Sequence, residues 1–311
     1  MSWPTVILSE EIIREGFGIE EVTDSGATAM CLEMARLQSE EFGIGTVSSW
    51  CKSSKTDVES VMRLRCEPFC TRPIGINMAL ADALFAQAVA DEHTIGADEV
   101  NQRVHANYQR AFHNPRGMRH PVPDPNTIAL SPRDALPLRR LQRAPLTDGA
   151  VSIVMASEEW LRKHPGHRPM ARLAGVGWAL DSYRLERERL RAIRSARVAF
   201  ANACRMADVS SPEAIDVLEL ESQTGYHEAA SVRAFQVAAR TRVSPSGGAF
   251  AQSPLFCTGL VCAAEAILQV AGQAGAVQQA GVRCAVAQSS HGFAQQGNVC
   301  LVIDEVGSRL E

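Results

Sequence analysis

SPSGGAFAQSPLFCTGLVCAAEAILQVAGQAGAVQQAGVRCAVAQSSHGFAQQGNVCLV, residues 244–302, decides how the rest of the chain is read. It opens on Ser244, Pro245, Ser246, Gly247 and Gly248, a run of small turn-formers in which glycine permits backbone angles and close approaches that a side chain would block. A second small-residue turn at Cys257, Thr258 and Gly259 leads into a predicted helix over residues 260–273. That helix is apolar nearly all round, with Glu265 and Gln269 as the main interruptions, so it is expected to be buried on most of its surface. Gly281 then launches residues 282–287, an apolar run of core-strand length. A glycine-bearing loop, 288–297, separates it from a second strand at 299–303.

The same order is legible near the amino end. Residues 19–22 read as the end of a short strand, Thr23-Asp24-Ser25-Gly26 as a turn, 27–39 as a helix with a broad apolar face, and 44–50 as a strand. Recurrence of strand, turn, helix and strand points to an internal duplication. Ahead of it, residues 5–16 read as a short apolar start and a helix capped at Ser9. Between the two repeats the regular order is lost over residues 52–141. Within that region 73–90 and 96–112 look helical, and 114–126 is a long turn-rich loop of the kind that borders sites. Residues 150–156 form a strand that ends at a helix capped by Ser157. A glycine-broken strand at 171–180 begins the second lobe. It is followed by one long helix over 184–206, with a solvated Arg/Glu-rich opening, and a strand at 215–220.

A chain of 311 residues buries a large core, and 46% hydrophobic with 21% charged residues is an ordinary globular composition. A net charge of -4 gives no reason to expect nucleic acid, and no opening run is long and apolar enough for a signal peptide or membrane span. A cytoplasmic protein is expected. Among nine cysteines, Cys31, Cys204, Cys257, Cys262, Cys284 and Cys300 lie in apolar surroundings, as thiols packed as small hydrophobes do. Cys66 and Cys70 have no second pair at zinc-ribbon spacing, so no metal site is expected.

Ser-Pro-Ser-Gly-Gly, then Gln252-Ser253-Pro254, then Cys257-Thr258-Gly259, resembles the thiolase pattern Asn-Pro-Ser-Gly-Gly, Gly-His-Pro, Ala-Thr-Gly. The similarity is closest to sterol-carrier-protein-X type thiolases and lipid-transfer-protein aldolases, and runs through most of the chain from about Ile19. The LTDGAVSIVMASE run resembles the segment that closes the first half of thiolases. The resemblance implies a thiolase-like α/β fold of two similar halves, layered α-β-α-β-α. The first half would span residues 1–170 with the inserted region 52–141, and the second 171–311. With only some twenty residues before the first turn, the first half is expected to lack an element.

What the resemblance does not carry over is the chemistry. The family's cysteine nucleophile sits at the amino end of a buried helix, where the helix dipole lowers its pKa. Here that position is Thr23, and a threonine hydroxyl without a strong base is a poor nucleophile; Thr23 and Ser25 read as helix caps. The oxyanion-stabilising histidine is replaced by Ser253, which has one hydroxyl donor and no titratable ring. The His-Asp-Cys-Phe cluster becomes Glu221-Ser222-Gln223-Thr224, and the last loop carries Gln288-Ser289-Ser290-His291-Gly292. Glu221, His227 and His291 are therefore the candidate catalytic acids and bases.

Three readings stay open. The chain is a catalytically silent subunit of an active thiolase-like chain, a C–C lyase of retro-aldol type or divergent acyltransferase working without a cysteine, or a binding module for acyl-CoA. The resemblance implies no covalently bound cofactor, and a coenzyme A thioester as candidate substrate or ligand. It implies as partners a second thiolase-like chain, in a homo- or hetero-oligomer, or a zinc-ribbon/OB-fold protein. Incomplete sheets are normally covered by a neighbour, so a stable monomer is not expected.

Overall fold

The computed structural model describes residues 25–40 and 42–307. The helix expected at 5–16, the strand at 19–22, Thr23 and Asp24 lie outside the described residues. Helix α1 (Gly26–Gln38) begins at Ser25, whose side chain accepts from the Thr28 backbone amide, and strand β1 (Ile44–Lys52) follows. The inserted region holds α2 (Val58–Arg63), α3 (Met78–His93), α4 (Ala97–His113), α5 (Pro125–Leu130) and a small hairpin, β2 (Arg133–Ala135) with β3 (Leu138–Arg139). Next come β4 (Asp148–Ala156), α6 (Glu158–Lys163), β5 (Arg172–Leu180), α7 (Arg187–Ala192) and α8 (Arg194–Met206). The chain continues through β6 (Val217–Leu220), α9 (Gly225–Phe235), β7 (Arg242–Val243), α10 (Thr258–Val270), β8 (Cys284–His291) and β9 (Gly297–Asp304).

Residues 172–304 build a five-stranded sheet in the order β5-β9-β8-β6-β7, with β6, β7 and β8 parallel and β9 antiparallel to both neighbours. One face packs on α8, close enough that a Cβ at Gly177 would stand 1.9 Å from the Ala199 carbonyl oxygen. The other face packs on α10 and α1, burying Leu260, Ala263 and Ala266 against Ala285, Val299 and Leu301. Beyond this central helix pair lies an antiparallel ribbon, β1 with β4, in register from Ile44↔Ala156 to Lys52↔Asp148. The helices of the central pair are each followed by a strand of an antiparallel pair, β1 with β4 after α1 and β8 with β9 after α10; the strand read at 19–22 lies outside the described residues.

The two sheets are unequal. Where the second has five strands, the first has two among the described residues. The ribbon turns Val47, Val151, Ile153 and Met155 toward α1 and α10 and its alternate residues outward, as a period of two requires. The outward side is mixed: Ile44, Trp50 and Val154, 44%, 49% and 66% exposed, stand beside Thr46 and the Ser48 and Ser152 hydroxyls, which hydrogen-bond across the ribbon at 2.7 Å.

Three sequence expectations are corrected. The helix expected from residue 73 starts at Met78, because the chain first makes tight turns, with Gly75 at positive φ, until Asn77 caps the helix. The helix expected over 184–206 is broken at Ile193, which is forced to φ 46°. Arg189 donates to the Phe293 and Ala294 carbonyls before the break and Ser195 to Gln295 after it, so both sides are tied to the β8–β9 turn. Finally, half of the expected loop 288–297 is strand: β8 runs through His291 and β9 starts at Gly297. Polar side chains hid this extension because they are buried and hydrogen-bonded rather than solvated. Among the described residues no helix is long and apolar enough to cross a membrane, and all nine cysteines are free.

Candidate functional site

The carboxyl ends of β6 and β8 and the amino ends of α1 and α10 meet at one place. Ser25 caps α1; α10 begins at Thr258, whose hydroxyl donates to the Pro254 carbonyl oxygen. Glu221 directly follows β6 and is fixed by its amide, which donates to the Gln288 carbonyl oxygen at 3.0 Å. Its carboxylate accepts from the Ser289 hydroxyl at 2.6 Å and the Ser290 amide at 3.2 Å. The Ser289 hydroxyl also lies 3.4 Å from that of Ser25, which brings the two repeats into contact through hydroxyls. Gly259 makes this approach feasible, since a Cβ there would sit 2.0 Å from Ser289 Oγ and 2.9 Å from Glu221 Oε2. Burial outweighs these hydrogen bonds and pushes the Glu221 carboxyl up to about 7.

Ser253 is fully buried beside this group. Its hydroxyl donates to Gln223 Oε1 at 2.9 Å and lies 3.5 Å from that of Thr258, while its amide donates to Thr147 Oγ1 at 3.0 Å. The site is therefore a cluster of neutral hydroxyl and amide groups around one carboxyl. The thiol at this helix start, Cys257, is sealed: it is fully buried and donates to the Ser49 carbonyl oxygen at 3.4 Å. Burial pushes it up to about 12, so it is protonated at neutral pH.

The two candidate histidines lie in different surroundings. His291, the last residue of β8, stands two positions beyond Ser289 on the same face of the strand and accepts from Trp178 Nε1 at 3.3 Å. His227, one turn into α9, faces α3 instead. Its ring lies against Phe85, and its Nε2 is 3.7 Å from Asp82 Oδ1. Burial, and secondarily the Arg143 charge, hold this imidazole down to about 3, while burial pushes Asp82 up to about 7. The contact is thus a neutral ring beside a carboxyl, not an ion pair. Glu221 and Ser253 are brought together through Gln223; His227 is not part of the group.

Sequence reading missed the groups that fix the Ser244–Gly248 turn. Ser246 donates its hydroxyl to Glu219 Oε2 at 2.6 Å and its amide to Oε1 at 3.1 Å. Asn114 donates to the Ser246 carbonyl oxygen and to Glu265 Oε1, and Arg116 grips Glu265 with two bonds of 2.9 and 2.6 Å. Glu219, buried and next to the Glu265 charge, is pushed up to about 8. The available signal was the pair of buried acids within apolar runs, Glu219 in β6 and Glu265 in α10, because a buried charge demands a partner. Among the described residues no group of three or more His, Cys, Asp or Glu is placed to hold a metal ion.

No family model matches the sequence, and no curated protein does. Solved structures do match the fold. The chain superposes with a TM-score of 0.76 on a structure described as the Ltp2-ChsH2(DUF35) aldolase, at 14% identity, over 93% of this chain and 79% of that one. It superposes with a TM-score of 0.70 on human mitochondrial 3-ketoacyl-CoA thiolase, at 15% identity, over 91% of this chain and 77% of that one. A structure of the same thiolase in complex with CoA gives 0.70 and 15%, over 91% and 76%. The fold of this chain is thiolase-like.

Proposed function

We propose that this chain is a non-catalytic thiolase-like subunit, paired with an active thiolase-like chain in acyl-CoA carbon–carbon bond metabolism. The observation that carries the reading is the composition of the loop cluster. Acyl transfer through a thioester needs an ionisable thiol and an imidazole or equivalent acid and base in register. The described loops offer Ser25, Ser253, Thr258 and Ser289 hydroxyls, and the thiol nearest to them, Cys257, is buried and protonated. The sequence supplies Thr23 where the nucleophile would stand. The bare outward face of the β1–β4 ribbon is the surface such a subunit would offer to its partner, or to a second copy of itself.

One observation favours a second reading. The Glu221 carboxyl, raised to about 7, is matched to proton transfer at neutral pH. In a retro-aldol cleavage of a β-hydroxyacyl-CoA it would take the β-hydroxyl proton, directly or through Ser289. The Cα–Cβ bond then breaks to release an aldehyde or ketone, and the enolate carbon left on the thioester is reprotonated. The first neighbour is named an aldolase, and its name pairs it with a DUF35 component; a small zinc-ribbon/OB-fold partner belongs to this reading. The test is an assay of the pure chain with acetoacetyl-CoA plus CoA, and separately with β-hydroxyacyl-CoA thioesters. The subunit reading predicts no turnover in either. Cleavage of the hydroxyacyl thioester that Glu221→Gln abolishes would install the second reading, and cysteine-dependent thiolysis would overturn both.

A further inference from the structure

A recess of about 510 Å³, which meets the Ser244–Gly248 turn only at Pro245, opens beside β7 between α4 and the sheet edge. Arg103, Ala106 and Arg110 of α4 line one wall, and Arg242 and Val243 of β7, with Pro245, line the other. Arg103 and Arg110 are seven positions apart, so they share a helix face at a separation of about 10 Å along the axis. Their guanidinium groups are braced from below. Glu228 of α9, whose side chain is 2% exposed, accepts from Asn107 Nδ2 at 2.6 Å and from Arg103 Nη1 at 3.5 Å. Asn107 then turns its carbonyl oxygen to Arg110 Nη2 at 2.5 Å.

This bracing leaves capacity unused. Arg110 Nε is removed from solvent and has no hydrogen-bond partner, a state buried N–H groups rarely keep. Arg242 is exposed and enters no ion pair among the described residues. The opposing charge is modest: Glu228 sits at the base, and Glu99, which pairs with Arg103, is shared with Arg233. The recess therefore carries net positive charge, with donors arriving from two directions and an apolar strip of Ala106, Val243 and Pro245 between them.

We propose that this recess binds the phosphate group of a small molecule, whose apolar body lies along that strip. Guanidinium groups on opposite walls suit the several acceptor oxygens of a tetrahedral dianion better than the single plane of a carboxylate. The volume fits a small molecule rather than a bare ion. The probe is phenyl phosphate, titrated calorimetrically into the full chain, with phenylmalonate as a dianion lacking tetrahedral geometry. The expected result is saturable phenyl phosphate binding that Arg110→Gln and Arg242→Gln each weaken by about tenfold or more, while Arg205→Gln on α8 changes nothing. Circular dichroism checks that Arg110→Gln folds; Arg242, exposed and unpaired, keeps the test valid if it does not. Absence of saturable binding, equal affinity for phenylmalonate, or unchanged affinity in Arg242→Gln would each overturn the proposal.

Discussion

The five-stranded sheet and the two-stranded ribbon each hold an antiparallel strand pair that follows a helix of the central pair, yet they solve burial differently. β8 and β9 are buried along nearly their whole length, between α8 on one side and α10 with α1 on the other. β1 and β4 have the same antiparallel pairing but bury one face only. Burial of apolar area is what stabilises a sheet, at roughly 25 cal/mol per Å². The difference teaches that the covered sheet holds the chain together, while the ribbon, among the described residues, is covered on one side only. It also places the raised carboxyls Glu219 and Glu221 in or directly after a strand of the covered sheet.

The largest effect expected from this contrast is mechanical. Leu301→Ala, in the middle of β9, removes a fully buried side chain and is expected to cost about 2–5 kcal/mol in urea unfolding. Val154→Ala on the outward ribbon face should stay within about 0.5 kcal/mol for the isolated chain. Equal losses at the two positions would erase the contrast.

The next effect is titration between α9 and α3. The folded-state pKa of His227 is depressed to about 3 from 6.5, so its neutral ring contributes stability above about pH 6.5 that is lost as pH falls toward 3. Wild type should therefore lose about 3 kcal/mol relative to His227→Phe between pH 7 and pH 4. A pH-independent difference would mean the ring is not sealed against α3.

Glu221 runs the other way. Its folded pKa is raised to about 7 from 4.5, so the stability of its protonated form is complete below pH 4.5 and lost as pH rises through 7. Glu221→Gln, which mimics the neutral acid, should be more stable than wild type by about 3 kcal/mol at pH 8 and no different at pH 4. A variant that is less stable at pH 8 would show that the carboxylate itself is needed there.

How far these features were legible in the sequence follows the same divide. α1, β1, β4, β5 and α10 were all readable to within a few residues, because their apolar spacing is set by burial on a face. The resemblance in the Ser-Pro-Ser-Gly-Gly, Gln-Ser-Pro and Cys-Thr-Gly turns led to the thiolase-like fold that the superpositions bear out. α2, α5 and the β2–β3 hairpin were not readable, being short elements fixed by caps such as Asp57 and Asp124 rather than by periodicity. The end of β8 was missed because Ser289 and His291 look like loop residues until Glu221 and Trp178 supply their partners. Glu221 and Ser253 could be named from their motif positions, but Gln223, which joins them, and Arg116, which holds Glu265, carry no local pattern. Their roles depend on contacts far apart in the chain.

The central claim is that the outward face of the ribbon is covered by another chain, and the most direct test is the mass of the purified protein by sedimentation at micromolar concentration. The measurement is made on the chain alone and mixed with any co-encoded thiolase-like chain, for wild type and Trp50→Glu. The account predicts wild-type species of at least twice the 33.7 kDa of one chain, or a mixed complex with the partner, and their loss in Trp50→Glu without loss of fold. A wild-type chain that sediments at 33.7 kDa and ignores the partner would contradict it.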